Sequence, residues 1–124
     1  MNDTQSNLVR HLELSAEWRA RKAEQLPDDG RHARSAEALA RAAKDVAALS
    51  DADSHLSRID RLFFSGDEEA IATYDGESAL IVAQYGFDNA DATTDELLDT
   101  LAAVADKASV GSSGIGFLPP KRLR

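Results

Sequence analysis

The sequence predicts an all-α fold, a small bundle of four or five helices led by an antiparallel αα-hairpin. Alanine is abundant and β-branched residues are few before Ile71, which favours helix over strand. Through most of the chain, apolar residues recur at the three-to-four-residue spacing of one helix face. Capping residues also stand where several helices should begin, as in the segments LPDDG and TTDEL.

The first predicted helix runs from about Thr4 to Gln25. On a helical wheel its apolar face comprises Leu8, Leu12, Ala16, Ala20, Ala23 and Leu26. Pro27 ends the helix because proline disfavours helical geometry in the residue before it. Asp28 and Asp29 follow, where a short carboxylate can cap the free N–H groups of the next helix. We therefore interpret them as a hairpin corner, with a catalytic or metal-binding carboxylate pair as the alternative.

The second predicted helix, from about Gly30 to Leu49, has the clearest amphipathic pattern in the chain. Its apolar stripe comprises Ala33, Ala36, Leu39, Ala40, Ala43, Val46 and Ala47. Small side chains let a second helix approach closely, so the first two helices should pack as an antiparallel hairpin. The opposite face is charged, with Glu37 and Arg41 as a favourable i,i+4 pair.

Two further helices are predicted from capping signals. Ser50 and Asp53 resemble a capping box for a third helix that ends near Ser65-Gly66, with Ala52, Leu56, Ile59, Leu62 and Phe63 on its apolar face. Thr93 and Glu96 form a second capping box, which starts a last helix that runs to about Ala108. The apolar face of that helix comprises Leu97, Leu98, Leu101, Val104, Ala105 and Ala108.

The segment at about residues 70–85 allows two structures. Asp75-Gly76 suits a type I′ turn between two short strands, which would make the fold α+β with a β-hairpin. The helical alternative gathers Ile71, Tyr74, Ser78, Ile81, Val82 and Tyr85 within about a third of the wheel. Gly86 followed by Phe87 also suits a helix end with a left-handed glycine. We favour the helix, because an isolated two-stranded hairpin is marginally stable.

The domain organisation is predicted as one helical domain over residues 1–110 and a flexible Gly/Ser/Pro-rich basic tail over residues 111–124, GSSGIGFLPPKRLR. Pro-Pro favours an extended polyproline conformation there, so we do not expect helix. The candidate partner-binding residues of the tail are Phe117, Leu118, Lys121, Arg122 and Arg124. The tail could dock on its own domain, serve as a peptide ligand for another protein, or be disordered.

Charge is distributed unevenly along a chain whose formal net charge is −8. Residues 1–49 are neutral, residues 50–110 carry 14 acidic and 3 basic side chains for a net −11, and residues 111–124 carry +3. An acidic body repels phosphate backbones, which disfavours nucleic acid as a partner. It suits either simple solubility or a partner with a basic face.

The remaining composition narrows the class of protein. The chain has no cysteine, which excludes disulfides, thiolate zinc sites and cysteine nucleophiles. The longest apolar run, residues 79–83, is too short to span a bilayer, and MNDTQSNLVRH lacks the order of a secretory signal. We therefore expect a cytoplasmic protein without membrane contact.

Candidate catalytic groups are few. His11, His32 and His55 are the only histidines, and three imidazoles with a water could hold a catalytic zinc. Their spacings match no familiar ligand pattern, so we expect hydrogen-bonded residues at the edge of the core. The acidic residues fall mainly at predicted helix starts, and the glycines of the tail lack a phosphate-loop context. We accordingly expect no cofactor, no metal site and no catalytic set.

Trp18 is the only tryptophan and lies beside Leu14 on the first predicted helix, next to Arg19. We expect it to anchor the hairpin on the core, and the alternative is an exposed hot spot for a partner. With no catalytic set, segregated charge and a peptide-like tail, the sequence predicts a non-enzymatic protein-interaction or regulatory module. Its partner would be another protein or a second copy. A small metal protein or enzyme that uses the three histidines is the alternative.

Four segments, AEWRARKAEQLPDD, SAEALARAA, GESALIVAQYGF and TTDELLDTL, resemble a set of short uncharacterised bacterial helical proteins. Those proteins share a W-R-x-x-K-A-x-x-x-P-D-D core and an x-G-F step before an acidic, capped helix. The resemblance covers about two-thirds of the chain and implies a compact helical domain, with helix at residues 77–85. No activity is assigned to that group, so no site residue carries over, and the tail from Gly111 lies outside the resemblance.

Overall fold

The computed structural model describes residues 2–113, with side chains through Val110, and this part of the chain forms five helices and no strand. The helices are α1 (Asp3–Gln25), α2 (Gly30–Ala47), α3 (Ser54–Ser65), α4 (Glu68–Gln84) and α5 (Thr94–Ser113). The all-α prediction is confirmed. The β-hairpin alternative is wrong, because α4 continues through Gly76 and buries Tyr74, Ser78 and Val82 at helical spacing.

Helices α1 and α2 form the antiparallel hairpin that the sequence predicts, with the most extensive helix–helix contact in the fold. Its corner begins where the Leu26 N–H bonds to the Lys22 carbonyl at 2.8 Å, and Asp29 then caps α2. At the open end, the buried Gln5 amide donates to the carbonyls of Val46 at 2.7 Å and Leu49 at 3.0 Å. Gln5 therefore satisfies acceptors that the end of α2 leaves free.

Helix α5 packs against both α3 and α4. His55 and Arg58 of α3 pair with Asp99 and Asp106 of α5, at 2.6 Å each. Both pairs advance in the same chain direction, so α3 and α5 run parallel. Helix α4 runs opposite to α5, because the Tyr85 hydroxyl at the end of α4 donates to a carbonyl that precedes α5.

The hydrophobic core lies where the hairpin meets the three later helices. Its largest fully buried apolar side chains are Leu12, Leu39, Val46, Leu56, Ile59, Leu62, Val82, Leu98 and Leu101. Each helix contributes at least one of them, so the five helices share one core. Within the part of the chain that the structure describes, no helix combines the length and apolar character that crossing a membrane requires.

The buried faces of α1 and α2 differ from the predicted stripes. Ala20, Leu26, Ala33, Ala40 and Ala47 were placed on the apolar faces but are exposed. Polar residues occupy some buried positions instead, among them Arg19 on α1 and His32 and Ser35 on α2. Apolar periodicity could not predict this, because Arg19 and Ser35 bond to carbonyls at the end of α4, distant in sequence, and His32 bonds to Arg19.

Helix α3 begins later than predicted. The Ser50–Asp53 capping box is wrong: Asp53 itself is the N-cap, and its carboxylate accepts from the N–H groups of His55 at 2.9 Å and Leu56 at 3.1 Å. The Ser50 hydroxyl accepts from Ala52 within the preceding turn, which leaves Ala52 exposed and outside the helix. On the same helix Phe63, also predicted for the apolar face, is partly exposed.

The capping box of α5 is confirmed in both directions. The Thr93 hydroxyl accepts from the Glu96 N–H at 3.2 Å, and the Glu96 carboxylate accepts from the Thr93 N–H at 3.0 Å. The helix ends at Ser113, five residues beyond the predicted end at Ala108. One glycine in a helix costs about 1 kcal/mol relative to alanine, which is too little to stop α5 at Gly111. The rest of the predicted tail, residues 114–124, lies outside the described residues.

Candidate functional site

Several side chains between Trp18 and Ala40 hold the C-terminal end of α4 in place. Arg19 is only 7% exposed, and its guanidinium donates from Nε, at 3.2 Å, and from Nη2 to the Ala83 carbonyl. Nη1 lies 3.0 Å from His32 Nδ1, and because arginine has only donors, Nδ1 is the acceptor. The guanidinium also stacks on Phe87, 4.2 Å from the ring centre. A buried cation thus faces the negative end of the α4 dipole.

Helix α2 supplies two more donors to the same turn. The Ser35 hydroxyl donates to the Tyr85 carbonyl at 2.6 Å, and Arg34 Nε donates to the Gly86 carbonyl at 3.1 Å. Gly86 has a φ of +73°, and a Cβ there would lie 2.7 Å from the Ala38 Cβ. We call Arg19, Arg34, Ser35 and Gly86 the clasp. It joins α1 and α2 to the end of α4 and the turn after it.

Asp29 completes the hairpin corner as the predicted cap. Its carboxylate accepts from the Arg31 N–H at 3.1 Å and from the Arg31 guanidinium at 2.8 and 2.9 Å. The side-chain hydrogen bond from Arg31 holds the pKa of Asp29 well below its usual range. A carboxylate held ionised in this way is a structural cap, and it is poorly suited to act as a general base.

The three histidines lie in three separate environments. His32 belongs to the Arg19 contact, and His55 lies 2.6 Å from the Asp99 carboxylate. His11 lines a groove between α1 and α4. Among the side chains that the structure describes, no three metal-ligating groups come together. The predicted alternative of a shared histidine site therefore has no geometric basis.

Trp18 is not a core residue, so the expectation that it anchors the hairpin is wrong. It is 44% exposed, and its ring lies 4.9 Å from the Arg19 guanidinium and 5.5 Å from Lys22 Nζ. With Leu14 and Ala83 it lines a shallow, mainly apolar hollow of about 280 Å³. Arg19 takes the buried position next to it, because that side chain reaches the end of α4 and the indole does not.

A larger hollow, which we call the acidic groove, lies near the N-terminus of α1 and has a volume of about 550 Å³. Helix α1 forms one wall, α3 a second and the middle of α4 the third. The described side chains that line it are Asp3, Thr4, Asn7, Leu8, His11, Ile59, Asp60, Phe63, Phe64, Tyr74, Asp75 and Ser78. Sequence reasoning missed this groove because its charged residues come from three different helices.

The electrostatics of the acidic groove are one-sided. Asp3, Asp60 and Asp75 bring three carboxylates, and the described lining contains no lysine or arginine. Within residues 2–113 none of the three forms an ion pair, although Asp60 accepts from the Thr4 hydroxyl at 2.7 Å. Burial lowers the pKa of His11 despite the opposing effect of Asp75. The groove is therefore negatively charged at neutral pH.

The apolar wall of the acidic groove is aromatic. Phe63 and Tyr74 meet edge to face, with ring centres 5.6 Å apart and an interplanar angle of 88°. Phe64, at the rim, is 90% exposed. Burial, with a smaller contribution from Asp75, raises the pKa of Tyr74 to about 12, so its phenol stays protonated. An apolar or aromatic group would find both area and ring edges here.

The serine and the histidine that line the groove are not joined to each other. Ser78 is buried, and its hydroxyl donates to the Asp75 carbonyl at 3.2 Å. No hydrogen bond joins Ser78 to His11 among the described residues. The three carboxylates make the groove suited to binding a cation.

The acidic groove and the Trp18 hollow lie along one seam between α1 and α4. His11 faces Asp75 and Arg19 bonds to Ala83, so the two helices run parallel along it. From His11 to Trp18 the helix advances about 10 Å, at about 1.5 Å per residue. An extended segment of about four residues would span both hollows.

Comparison with protein-family models, curated proteins and solved structures finds no match to this chain. The resemblance to bacterial helical proteins therefore stays a prediction.

Proposed function

We propose that this protein is a non-enzymatic protein-interaction module. Its binding surface is the seam between α1 and α4, and its ligand is a basic segment that also carries an aromatic or aliphatic side chain. The observation that carries the proposal is the acidic groove, in which three carboxylates without ion pairs lie beside an exposed phenylalanine. Another protein or a second copy of this chain could supply such a segment.

Charge and apolar area contribute differently to this recognition. Partly exposed ion pairs contribute about 0.2–1 kcal/mol each. The carboxylates would therefore contribute more to the specificity for a cationic ligand than to its affinity. Burial of the Phe64 ring against a ligand side chain would supply more, at about 25 cal/mol per Å² of apolar area. A phosphate backbone is repelled by the same carboxylates, so nucleic acid does not fit this surface.

Trp18 extends the proposed surface at its other end. Its indole is rigid and exposed, and Leu14 beside it is 49% exposed. Exposed tryptophan is strongly enriched among residues that dominate binding energies. A ligand whose cations lie in the acidic groove would place an apolar side chain against Trp18. The proposal places the protein in the cytoplasm, which is supported by its cysteine-free sequence.

A random-peptide display library, selected on the full-length chain, tests the function. We expect enrichment of peptides with two or more lysines or arginines next to an aromatic or leucine residue. The selected peptides should bind Asp60→Asn/Asp75→Asn about tenfold more weakly in calorimetry, since two ion pairs are lost. Asn keeps the acceptor for Thr4, so the fold should persist.

Glu77→Gln is the control for loss of charge as such, because it removes one negative charge from α4 outside the groove lining. Its peptide affinity should equal that of the unmodified chain. No enrichment, enrichment of acidic peptides, or equal binding by Asp60→Asn/Asp75→Asn would each overturn the proposal.

A further inference from the structure

We propose that residues 114–124 of this chain occupy the acidic groove in the resting protein, so that a partner must displace them. This inference rests on the proposed function, because it names the first occupant of the same groove. The segment would act as an internal competitor, and binding of a partner would be regulated by its release.

The chemistry of this segment matches the groove. Its sequence, GIGFLPPKRLR, carries Phe117 and Leu118, then two prolines, then three cations and no acid. The cations are Lys121, Arg122 and Arg124. They match in number the three groove carboxylates, Asp3, Asp60 and Asp75. Proline restricts the segment to extended conformations, which lowers the entropy lost when it binds.

The path from α5 to the groove is short. Because α3 and α5 run parallel, with Arg58 paired to Asp106, both helices end on the same side of the bundle. From those paired residues α3 advances about 9 Å to Phe64 and α5 about 10 Å to Ser113, at about 1.5 Å per residue. Eight residue steps join Ser113 to Lys121, and extended chain covers roughly 26 Å in eight steps. The cations can therefore reach past the rim into the groove.

The order of residues also fits. Leaving α5, the segment meets the rim of the groove first, where Phe64 is exposed and Phe63 is partly exposed. Phe117 and Leu118 would pack there, and the cations that follow would reach Asp60 and Asp75. A tether of this length gives an effective concentration on the order of millimolar, so even a weak site would be largely occupied.

A spin-label measurement on the full-length chain tests this arrangement. The protein has no cysteine, so Pro120→Cys carries a single nitroxide and needs no other substitution. Amide signals of Asp60, Phe64 and Asp75 should broaden strongly. The broadening should weaken in Asp60→Asn/Asp75→Asn and persist in Glu77→Gln. Uniform broadening, or broadening confined to the last turn of α5, would overturn the proposal.

A mixed sample separates this chain's own segment from that of a second copy. Isotope-labelled protein without nitroxide is mixed with unlabelled protein that carries it. Groove signals should then stay sharp. If they broaden as strongly as in the single-chain sample, the occupant comes from a neighbouring copy and the intramolecular proposal is overturned.

A competition measurement distinguishes failure of this inference from failure of the proposed function. Peptides from the display selection are titrated into the full-length chain and into Lys121→Gln/Arg122→Gln/Arg124→Gln. Release of an internal competitor should make the variant bind about threefold to tenfold more tightly. Equal affinity would overturn the inference alone and leave the function supported. Absence of binding to both proteins would overturn both.

Discussion

Charged side chains lie at both ends of the seam between α1 and α4, but the groups around them differ. In the clasp, Arg19 and Arg34 point at backbone carbonyls where α4 ends. In the acidic groove, Asp60 and Asp75 face open space without an ion pair in the described structure. The arginines of the clasp hold the helices together. The carboxylates of the groove are left available for a ligand.

The contrast between the clasp and the acidic groove distinguishes structural from functional charge in a protein without an evident catalytic set. A cation that donates to backbone carbonyls of its own chain contributes to folding, and its removal leaves those acceptors unsatisfied. An exposed carboxylate without an ion pair contributes less to folding, although Asp60 also accepts from the Thr4 hydroxyl. If such carboxylates gather in a concave, partly aromatic place, binding is the better explanation for them.

The largest expected effect is at Gly86, which tests the clasp. Gly86→Ala should destabilise the fold by about 2–5 kcal/mol, because a left-handed alanine costs about 1–2 kcal/mol and overpacking against Ala38 adds about 1–3. Gly66 is the control, since its φ is +71° but nothing lies within 4 Å of the added Cβ. Gly66→Ala should cost only the conformational part. Equal losses for the two variants in urea denaturation would contradict the close approach.

Arg19 gives the next largest effect. Arg19→Ala should cost about 1.5–3 kcal/mol in the free energy of unfolding, the range for hydrogen bonds to a charged group. Arg21→Ala, an exposed position on the same helix, should change it by less than about 0.5 kcal/mol. If chemical denaturation shows the two arginines to be equivalent, the clasp is not a structural device.

Trp18 tests the part of the proposed binding surface that lies along the seam near the clasp. Trp18→Ala should change the free energy of unfolding by less than about 1 kcal/mol, because the indole is largely outside the core. It should weaken peptides that span both hollows by about threefold to tenfold, as expected of an aromatic contact. Leu80→Ala is the control. Leu80 lies on α4 and is exposed, as Trp18 is on α1, but it does not line the hollow. Calorimetry that shows equal peptide affinity for Trp18→Ala would remove Trp18 from the surface.

The smallest effect concerns pH. His11 has a lowered pKa in the folded state because it is partly buried, so below pH 6.5 the unfolded chain binds more protons. Stability should therefore fall as the pH drops through the folded pKa of His11. Asp75 on α4 opposes this, and Asp3 on α1 and Asp60 on α3 line the same groove. His11→Gln should flatten the difference between pH 5 and pH 7, and an unchanged profile would contradict the assignment.

Local signals predicted most of the fold. The cap at Asp29 and the Thr93–Glu96 box were predictable because each involves residues within one helical turn. The start of α3 was not, because Ser50 and Asp53 are both good caps and their relative position alone did not decide between them. The α4 helix was favoured correctly because its apolar residues share one face.

Features that depend on distant partners were not predictable. The burial of Arg19 and Ser35 requires the carbonyls of Ala83 and Tyr85, more than 45 residues away in sequence. The acidic groove likewise requires Asp3, Asp60 and Asp75 to converge from three helices. Read locally, Asp75 looked like part of a turn and Phe63 like part of a core. The adjacent pair Phe63-Phe64, too apolar for one helix face, was the available signal.

The most direct test measures unfolding and peptide binding on the same two variants. Arg19→Ala should lose stability but, while folded, bind the selected basic peptides like the unmodified chain. Asp60→Asn/Asp75→Asn should keep its stability within about 1 kcal/mol and bind them about tenfold more weakly. If the aspartate variant instead loses stability with its peptide affinity unchanged, its carboxylates serve the fold, and the division between clasp and groove is contradicted.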